Sequence, residues 1–377
     1  MKITVIGGGP AGLYFSYLMK RDDPAHDVTV MEQNPRDATF GFGVVFSERA
    51  LEFLRADDED TYQFLMPHME SWPDLKLVHQ DEHMAIDGNG FTAIGRLEFL
   101  NLLQARCESV GVALEFDCVV ESLDAFGDAD LIVAADGVNS LVRRTHAEAF
   151  QASETQLENP FVWFGTTKLF DCLSLTFRGN EDGVFCAHHY RYSSSMSTFI
   201  VETDAGTFEN AGFDRMSAGE TQAYCEAVFA TDLDGHPLLS NKSEWRWFPQ
   251  IWNENWSTGN IVLLGDALHT AHFSIGSGTR LAMEDAIALF KALGACKPDV
   301  RAALVRYEEI RRPALEKLVD AAVASAHWYE RMAELMRTLE PYEFARSYMT
   351  RTGRVSDERL KKIAPKFMER YAQHRTS

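Results

Sequence analysis

GGGPAG at positions 7–12 sets Gly7, Gly9 and Gly12 in the order G-x-G-x-x-G between a β-branched run, ITVIG, and a helix-forming run, AGLYFSYLMKR. Glycines at these places allow a tight turn, a close backbone approach to a pyrophosphate and close packing of the helix, whose positive N-terminus favours the anion. Glu32 lies 20 residues after Gly12, at the end of the next strand, where a carboxylate can accept from both hydroxyls of a ribose. No other complete copy of the motif exists in the chain, so one tightly held dinucleotide is expected. A second glycine turn follows much later, in NIVLLGDALHTAHFSIGSGTRLAMEDAIAL. There Asp266 can accept from a ribityl hydroxyl, and Gly276 and Gly278, opening another helix, can bring N–H groups toward a ring or phosphate. A dinucleotide with a ribityl chain and a reducible ring is FAD. Between the two turns, DGVNSLVRR places Asp136, Gly137, Ser140 and Arg143 in the order D-G-x-x-S-x-x-R.

These residues need a scaffold that returns to the same place twice. Residues 2–32 read as one βαβ unit of about the expected ~30 residues. The stretch from Glu48 to about Arg55 looks helical, GRLEFLNLLQARCESVG is an amphipathic helix closed by Gly111, and ALEFDCVV and ADLIVAADG are strands. From about Phe161 the texture changes: FVWFGTTKLF, CLSLTFR, GVFCAHHYRY and STFIVET are closely spaced strands of an antiparallel sheet. IVLLGDA at 261 then returns to a buried parallel strand, with MEDAIALFKALG as a helix behind it and at least two more helices from about Asp299. The expected class is α/β. A Rossmann-like FAD-binding domain over 1–150 and 261–300 is interrupted by an α+β substrate domain at 151–260. Residues 60–90 are read as contributing to the substrate side, and 301–377 as a helical region.

The bulk composition narrows the partners. A chain of 377 residues with 46% hydrophobic and 24% charged residues is an ordinary globular protein, and its net charge of -20 argues against nucleic acid or an anionic membrane. No apolar run approaches the ~20 residues needed to span a bilayer, and a strand beginning at Lys2 leaves no room for a leader, so a cytoplasmic monomer or homodimer is expected. The six cysteines are scattered without C-x-x-C or zinc-type spacing, and no metal is expected. Acidic residues dominate from Glu48 to Asp87. The tail after Pro341 carries nine Lys/Arg against four Asp/Glu and reads as a solvated helical end.

Together GxGxxG, DGxxSxxR and the GD turn resemble the single-component flavoprotein aromatic hydroxylases, the 4-hydroxybenzoate hydroxylase-like superfamily, over roughly 300 residues. The resemblance implies that NAD(P)H reduces FAD and that O2 is then captured as a flavin 4a-hydroperoxide, whose distal oxygen passes to an electron-rich ring. It also assigns Arg96, at the head of GRLEFLNLLQ, to the flavin diphosphate. Where the family has prolines and an asparagine around the second turn, this chain has His272, Phe273 and Arg280. FGFGVVFSERALEFL, WFGTTKLFD, MSTFIVE and AHFSIGSGTRLAMEDAIAL are similar to the aryl-CoA hydroxylases, salicyloyl-CoA 5-hydroxylase and 2-aminobenzoyl-CoA monooxygenase among them. The violacein-pathway hydroxylases share part of the pattern. Some aryl-CoA enzymes continue into a reductase domain; this chain reaches Ser377 without one, and hydroxylation alone is the expectation.

Within that frame HHY at 188–190 draws attention, because strand alternation sends His188 and Tyr190 to one face and His189 to the other. His188 with Tyr190 can accept a phenolic proton from a bound ring, a contribution of typically ~10²- to 10⁴-fold, with a purely structural role for His188 equally open. His189 reads as structural. His269 and His272 flank the second turn, and His272 is a candidate for a place near the reacting oxygen. WRWFP at 245–249 falls one residue short of the W-x-W-x-I-P spacing of flavin halogenases and reads as packing. For the phosphates of a CoA thioester the candidate anchors are Lys168, Arg178 and Arg191. The leading expectation is a hydroxylase of an aryl-CoA such as salicyloyl-CoA. A hydroxylase of an indole or free aromatic acid, and a flavin-binding protein without turnover, are the alternatives.

Overall fold

A computed structural model describes residues 1–47 and 51–375. Its first sheet has six strands in the order Ser257–Thr258, Ile261–Leu263, Leu131–Ala134, Lys2–Ile6, Asp27–Met31 and Ala113–Glu115, all parallel except the first. All four residues of LIVA at 131–134 are buried, as strands covered on both faces must be. Helices Pro10–Asp22 and Arg96–Val110 pack together, as do Pro10–Asp22 and Gly278–Ala295. The Arg96–Val110 helix ends at Gly111, whose φ of 85° places it in the left-handed conformation that closes helices. ALEFDCVV forms a strand only at Ala113–Glu115, because Asp117 turns the chain out of the sheet with a φ of 53°. The helix read from Glu48 is observed as Glu52–Asp57, and Glu48 itself lies outside the described residues.

The second sheet runs Leu238–Ser240, Ala152–Thr166, Ser197–Thr203, Gly183–Arg191, Leu173–Asn180, Leu75–His79 and Glu82–Ile86. Its longest strand starts at Ala152, nine residues before the Phe161 expected from sequence. The register slips between Gln156 and Pro160, where proline has no N–H to give, and the first half of the strand pairs instead with Arg246–Asn253. Two strands, Leu75–His79 and Glu82–Ile86, arrive from far upstream, the former pairing in parallel with Leu173–Asn180. One face of the sheet, with Val162, Phe164, Phe185, Phe199 and Val201, is covered by helices between Ala205 and Leu233. A smaller sheet of Gly43–Ser47, Phe91–Gly95 and Glu70–Trp72 bridges toward the first.

The C-terminal helices close the remaining side. Val300–Glu330 starts from an Asp299 cap, and Pro341–Thr350, Asp357–Ile363 and Pro365–His374 follow. Phe177, Trp328 and Phe344 meet edge to face, Phe177 and Phe344 with centroids 4.7 Å apart, a geometry worth about 0.5–1.5 kcal/mol per pair beyond burial. Asp87, just after Glu82–Ile86, accepts from the N–H groups of Lys366 and Phe367 at 3.2 and 2.9 Å and so fastens the last helix to the sheet edge.

Candidate active site

Both glycine turns open onto one cleft of about 720 Å³ between the two large sheets. Gly9, Pro10 and Ala11 line it from the first turn, and Asp266 with residues 273–280 from the second. Helices Pro10–Asp22 and Gly278–Ala295 therefore both aim their N-termini into the same space. Gly7, with φ +108°, and Gly12 do not line it. A Cβ at Gly7 would strike the Ala135 carbonyl, and one at Gly12 would strike the carbonyl of Gly7, so these two build the turn. At Gly9 and Gly278 no described residue beyond the local backbone comes within 4 Å of where a Cβ would stand, and both glycines line the cleft. Gly276 closes the Phe273–Ile275 turn.

Glu32 sits beside the first turn rather than on the cleft wall. Its carboxylate accepts from the N–H groups of Gly8 at 2.7 Å and Asn34 at 2.8 Å. Arg96 lines the cleft, and among the described residues it has neither a side-chain hydrogen bond nor a carboxylate within ion-pair distance. Enclosure lowers its pKa while Asp266 and Tyr190 pull it back up, yet a guanidinium stays charged. Asp266 opens to the cleft, its pKa raised by desolvation against the pull of His269 and Arg96. Two helix N-termini, a cation without a counterion and backbone bare of Cβ atoms fit the diphosphate and ring of FAD. Asp136 of the DGxxSxxR motif, proposed from sequence as a cofactor-binding residue, stands beside the cleft rather than on it. One of its oxygens accepts from Leu141 N–H at 2.8 Å, the other is buried without a partner among the described residues, and the side chain is off the cleft wall.

The opposite wall is the free face of the second sheet. A row of cross-strand neighbours, Leu175, His188, Ile200 and Trp163, lines it. Diagonally behind His188, on the next strand, Glu202 is 1% exposed, with its Oε2 3.1 Å from His188 Nε2 and its Oε1 accepting from Asn159 Nδ2 at 2.9 Å. Burial alone would raise the Glu202 pKa, but the bond to His188, the field of His272 and the Asn159 amide hold it below the ordinary range. An ionised carboxylate only accepts, so Nε2 carries a proton, and in the neutral imidazole Nδ1 is then the acceptor. Nδ1 has no partner among the described residues.

Other expected groups stand elsewhere. Tyr190 shares the cleft wall with His188, but its hydroxyl donates to the Gly43 carbonyl at 2.9 Å and burial raises its pKa, so it is no proton acceptor. His189 faces the other way, bonded to Thr176 Oγ1 at 2.9 Å and stacked on Phe199, with burial pushing its pKa down to about 3. His272 turns from the cleft to line a second cavity of about 450 Å³ with Trp252, Glu316 and Asp320. Its Nδ1 pairs with Ser274 Oγ at 2.8 Å and burial pushes its pKa down to about 4, which removes it from the reacting centre. His269 lies behind the second turn, 2.7 Å from Asp285, which also takes Arg311 at 2.7 Å. Trp245 and Trp247 pack on Phe208.

Charge on the cleft wall reverses that of the chain. Against 36 basic and 56 acidic residues overall, the described lining holds seven Arg or Lys and only two acids, Glu244 and Asp266. None of the seven is Lys168, Arg178 or Arg191. Those three are bound to Asp234 at 2.8 Å, to Asp232 at 2.8 Å and Asp81 at 2.6 Å, and to Glu70 at 3.0 Å, so the expected phosphate anchors are already neutralised. Instead the lining includes Lys242, Arg246, Arg351, Arg354 and Arg359. Arg351 reaches the Ser274 carbonyl at 2.9 Å and Ser325 Oγ at 2.7 Å and lies 3.7 Å over Tyr348, clipping the second turn to the C-terminal helices. Sequence reading missed Glu202, which looks like any strand acid, and also Arg354 and Arg359, whose signal was the basic tail.

A parallel dinucleotide-type sheet sharing its cleft with a mostly antiparallel sheet is the architecture of the flavin-dependent aromatic hydroxylases. Residues 127–322 match the FAD binding domain family. The chain is 42% identical to a salicyloyl-CoA 5-hydroxylase of Streptomyces sp over 93% of this chain and 70% of that protein. It is 37% identical to a 3-hydroxy-4-methyl-anthranilyl-[aryl-carrier protein] 5-monooxygenase of Streptosporangium sibiricum, over 89% and 91%. Its fold matches 2-methyl-3-hydroxypyridine-5-carboxylic acid oxygenase with a TM-score of 0.71 at 16% identity, covering 96% of this chain and 95% of that one. The chain belongs to the FAD-dependent monooxygenase family, with FAD as its cofactor and NAD(P)H the usual co-substrate. No helix among the described residues is long and apolar enough to cross a membrane.

Proposed function

We propose that the chain hydroxylates the ring of an aryl thioester, with an aryl-CoA of the salicyloyl type, oxidised at its 5-position, as the leading substrate. The observation that carries this reading is His188 on the sheet side of the cleft, in one row with Leu175, Ile200 and Trp163, with a buried carboxylate behind it. The likeness to the salicyloyl-CoA enzyme supports the thioester. Gly9, Gly276, Gly278, Arg96 and Asp266 would hold FAD from the diphosphate to the ring, with Glu32 at the ribose end. Bound and reduced, FAD supplies the activation of O2 from which one oxygen atom passes to the ring. Leu175, Ile200 and Phe161 shield that oxygen from water and hold the ring flat. Nδ1 of His188 takes the proton of the ring hydroxyl, and the phenolate so formed is electron-rich at the para carbon. Glu202, fixed by Asn159, faces the imidazolium that results.

The test compares NAD(P)H oxidation with salicyloyl-CoA and with free salicylate, recording product mass. The CoA thioester should stimulate oxidation and gain one oxygen atom, while salicylate turns over poorly. Faster turnover of a free acid or an indole than of every thioester tried would remove the thioester from this reading.

A further inference from the structure

The cleft has two cationic mouths, at opposite edges of the second sheet. Lys242 and Arg246 come from the edge formed by Leu238–Ser240 and Arg246–Asn253, beside the long Ala152–Thr166 strand. Arg354 and Arg359 follow the Pro341–Thr350 helix and line the cleft together with Asn89, which comes just after the other edge strand, Glu82–Ile86. From Ala152–Thr166 to Leu75–His79 there are four inter-strand spacings, roughly 19 Å at ~4.8 Å each.

We propose that the Arg354–Arg359 mouth binds the phosphate groups of a coenzyme A thioester whose aryl end lies against His188. The proposal rests on the thioester reading above and adds its anchor. Two features separate this mouth from the other, and a third, cations without a bonded counterion, is common to both. Its wall toward the sheet is apolar, formed by Leu75, Phe91, Met349 and Val355, a surface suited to a flexible pantetheine arm. The opposite mouth has Glu244 on its lining beside Lys242 and Arg246, which weakens its field for an anion. Among the described residues, neither guanidinium at the Arg354–Arg359 mouth has a side-chain hydrogen bond or ion pair, and the nearby Asp357 is already held by Arg346 at 2.7 Å. Two exposed guanidiniums without counterions, on a chain of net charge -20, mark a local reversal of the protein's field. Their planar forks match phosphate oxygens in pairs, which an ammonium cannot do.

The experiment measures KM and kcat for salicyloyl-CoA and for salicyloyl-pantetheine, which lacks the phosphates, together with direct binding of free CoA by calorimetry. Wild type should favour the CoA ester. In the double variant Arg354→Ala/Arg359→Ala, KM for salicyloyl-CoA should rise about ten- to thirtyfold with kcat little changed, since exposed charge-assisted bonds are partly screened. KM for the pantetheine ester should not move, flavin content should stay at the wild-type level, and Arg354→Lys/Arg359→Lys should recover part of the loss. Raising salt should narrow the gap between the two esters in wild type only. An equal rise for both esters, or loss of the CoA preference in Lys242→Ala/Arg246→Ala instead, overturns the assignment. The calorimetry separates the two readings. CoA that binds in an Arg354/Arg359-dependent way without any thioester being hydroxylated keeps the phosphate site and sinks the substrate reading; thioester hydroxylation with CoA affinity unchanged in the double variant does the reverse.

Discussion

His269 and His188 each meet a buried carboxylate, at 2.7 Å and 3.1 Å, but only one of the pairs borders the cleft. Asp285, beside His269, is also bonded by Arg311, which in turn reaches Glu284 at 2.9 Å. That cluster holds its own cation, its carboxyl stays ionised below the usual range, and His269 Nδ1 is buried without a partner among the described residues. It joins helix Gly278–Ala295 to helix Val300–Glu330 and has nowhere to send a proton. Glu202 has no such cation bonded to it, only an amide and the histidine. A proton arriving on His188 therefore meets an uncompensated anion. The same two groups, an imidazole and a carboxylate, make a rivet in one region and the proposed proton acceptor in the other, and the difference is a third charge.

The comparison breaks most visibly at His188. His188→Ala should retain FAD yet slow hydroxylation by about 10²- to 10⁴-fold, with hydrogen peroxide replacing product per NAD(P)H consumed, and Glu202→Gln should move the same way by less. Unaltered product per NAD(P)H in both variants would return the pair to a structural role. Asp285→Asn leaves Arg311 with Glu284 alone and takes the carboxylate from His269, and by the usual cost of breaking a buried pair it should lose up to about 3–5 kcal/mol of stability in chemical denaturation. Were its stability unchanged, the cluster would not be the rivet described. The last prediction concerns pH. His272 and His189, buried with pKa pushed down to about 4 and about 3 from an ordinary 6.5, bind protons only after the unfolded chain has done so. Stability should thus fall as pH drops below 6.5 toward 4, by up to about 1.4 kcal/mol per pH unit for each histidine. The depressed carboxyls of Glu202 and Asp285 add their loss only at lower pH, as each is protonated through its folded pKa. His272→Asn should flatten the upper part of that slope; a stability curve already flat from 6.5 to 4.5 in wild type would contradict it.

Much of this was legible because local chemistry and local structure coincide. Gly7 to Gly12 encode a turn by their own spacing, even though the room at Gly7 is set by distant Ala135, and the alternation in HHY orients His188 and His189 without reference to the rest of the fold. Asp136, His272 and the three proposed phosphate anchors stand off the cleft wall for the converse reason. Asp136 gives one oxygen to N–H groups of its own loop. Lys168, Arg178 and Arg191 find acids 66, 54 and 121 positions away, a pairing that no spacing rule exposes. Arg354 and Arg359 were hidden because a basic tail is ordinarily solvent-facing, and only the packing of Pro365–His374 on Asp87 brings that tail round to the cleft.

The upstream strands Leu75–His79 and Glu82–Ile86 also bear on how the molecule can be handled. Because Leu173–Asn180 pairs with a segment nearly a hundred residues earlier, the chain threads back and forth between its two large sheets, and no single cut releases either one whole. A fragment starting at Ala152 would carry an open row of backbone donors and acceptors along Leu173–Asn180, an invitation to intermolecular pairing. The molecule is indivisible in practice: transplanting the substrate wall onto another flavoprotein means carrying the 75–86 hairpin with it.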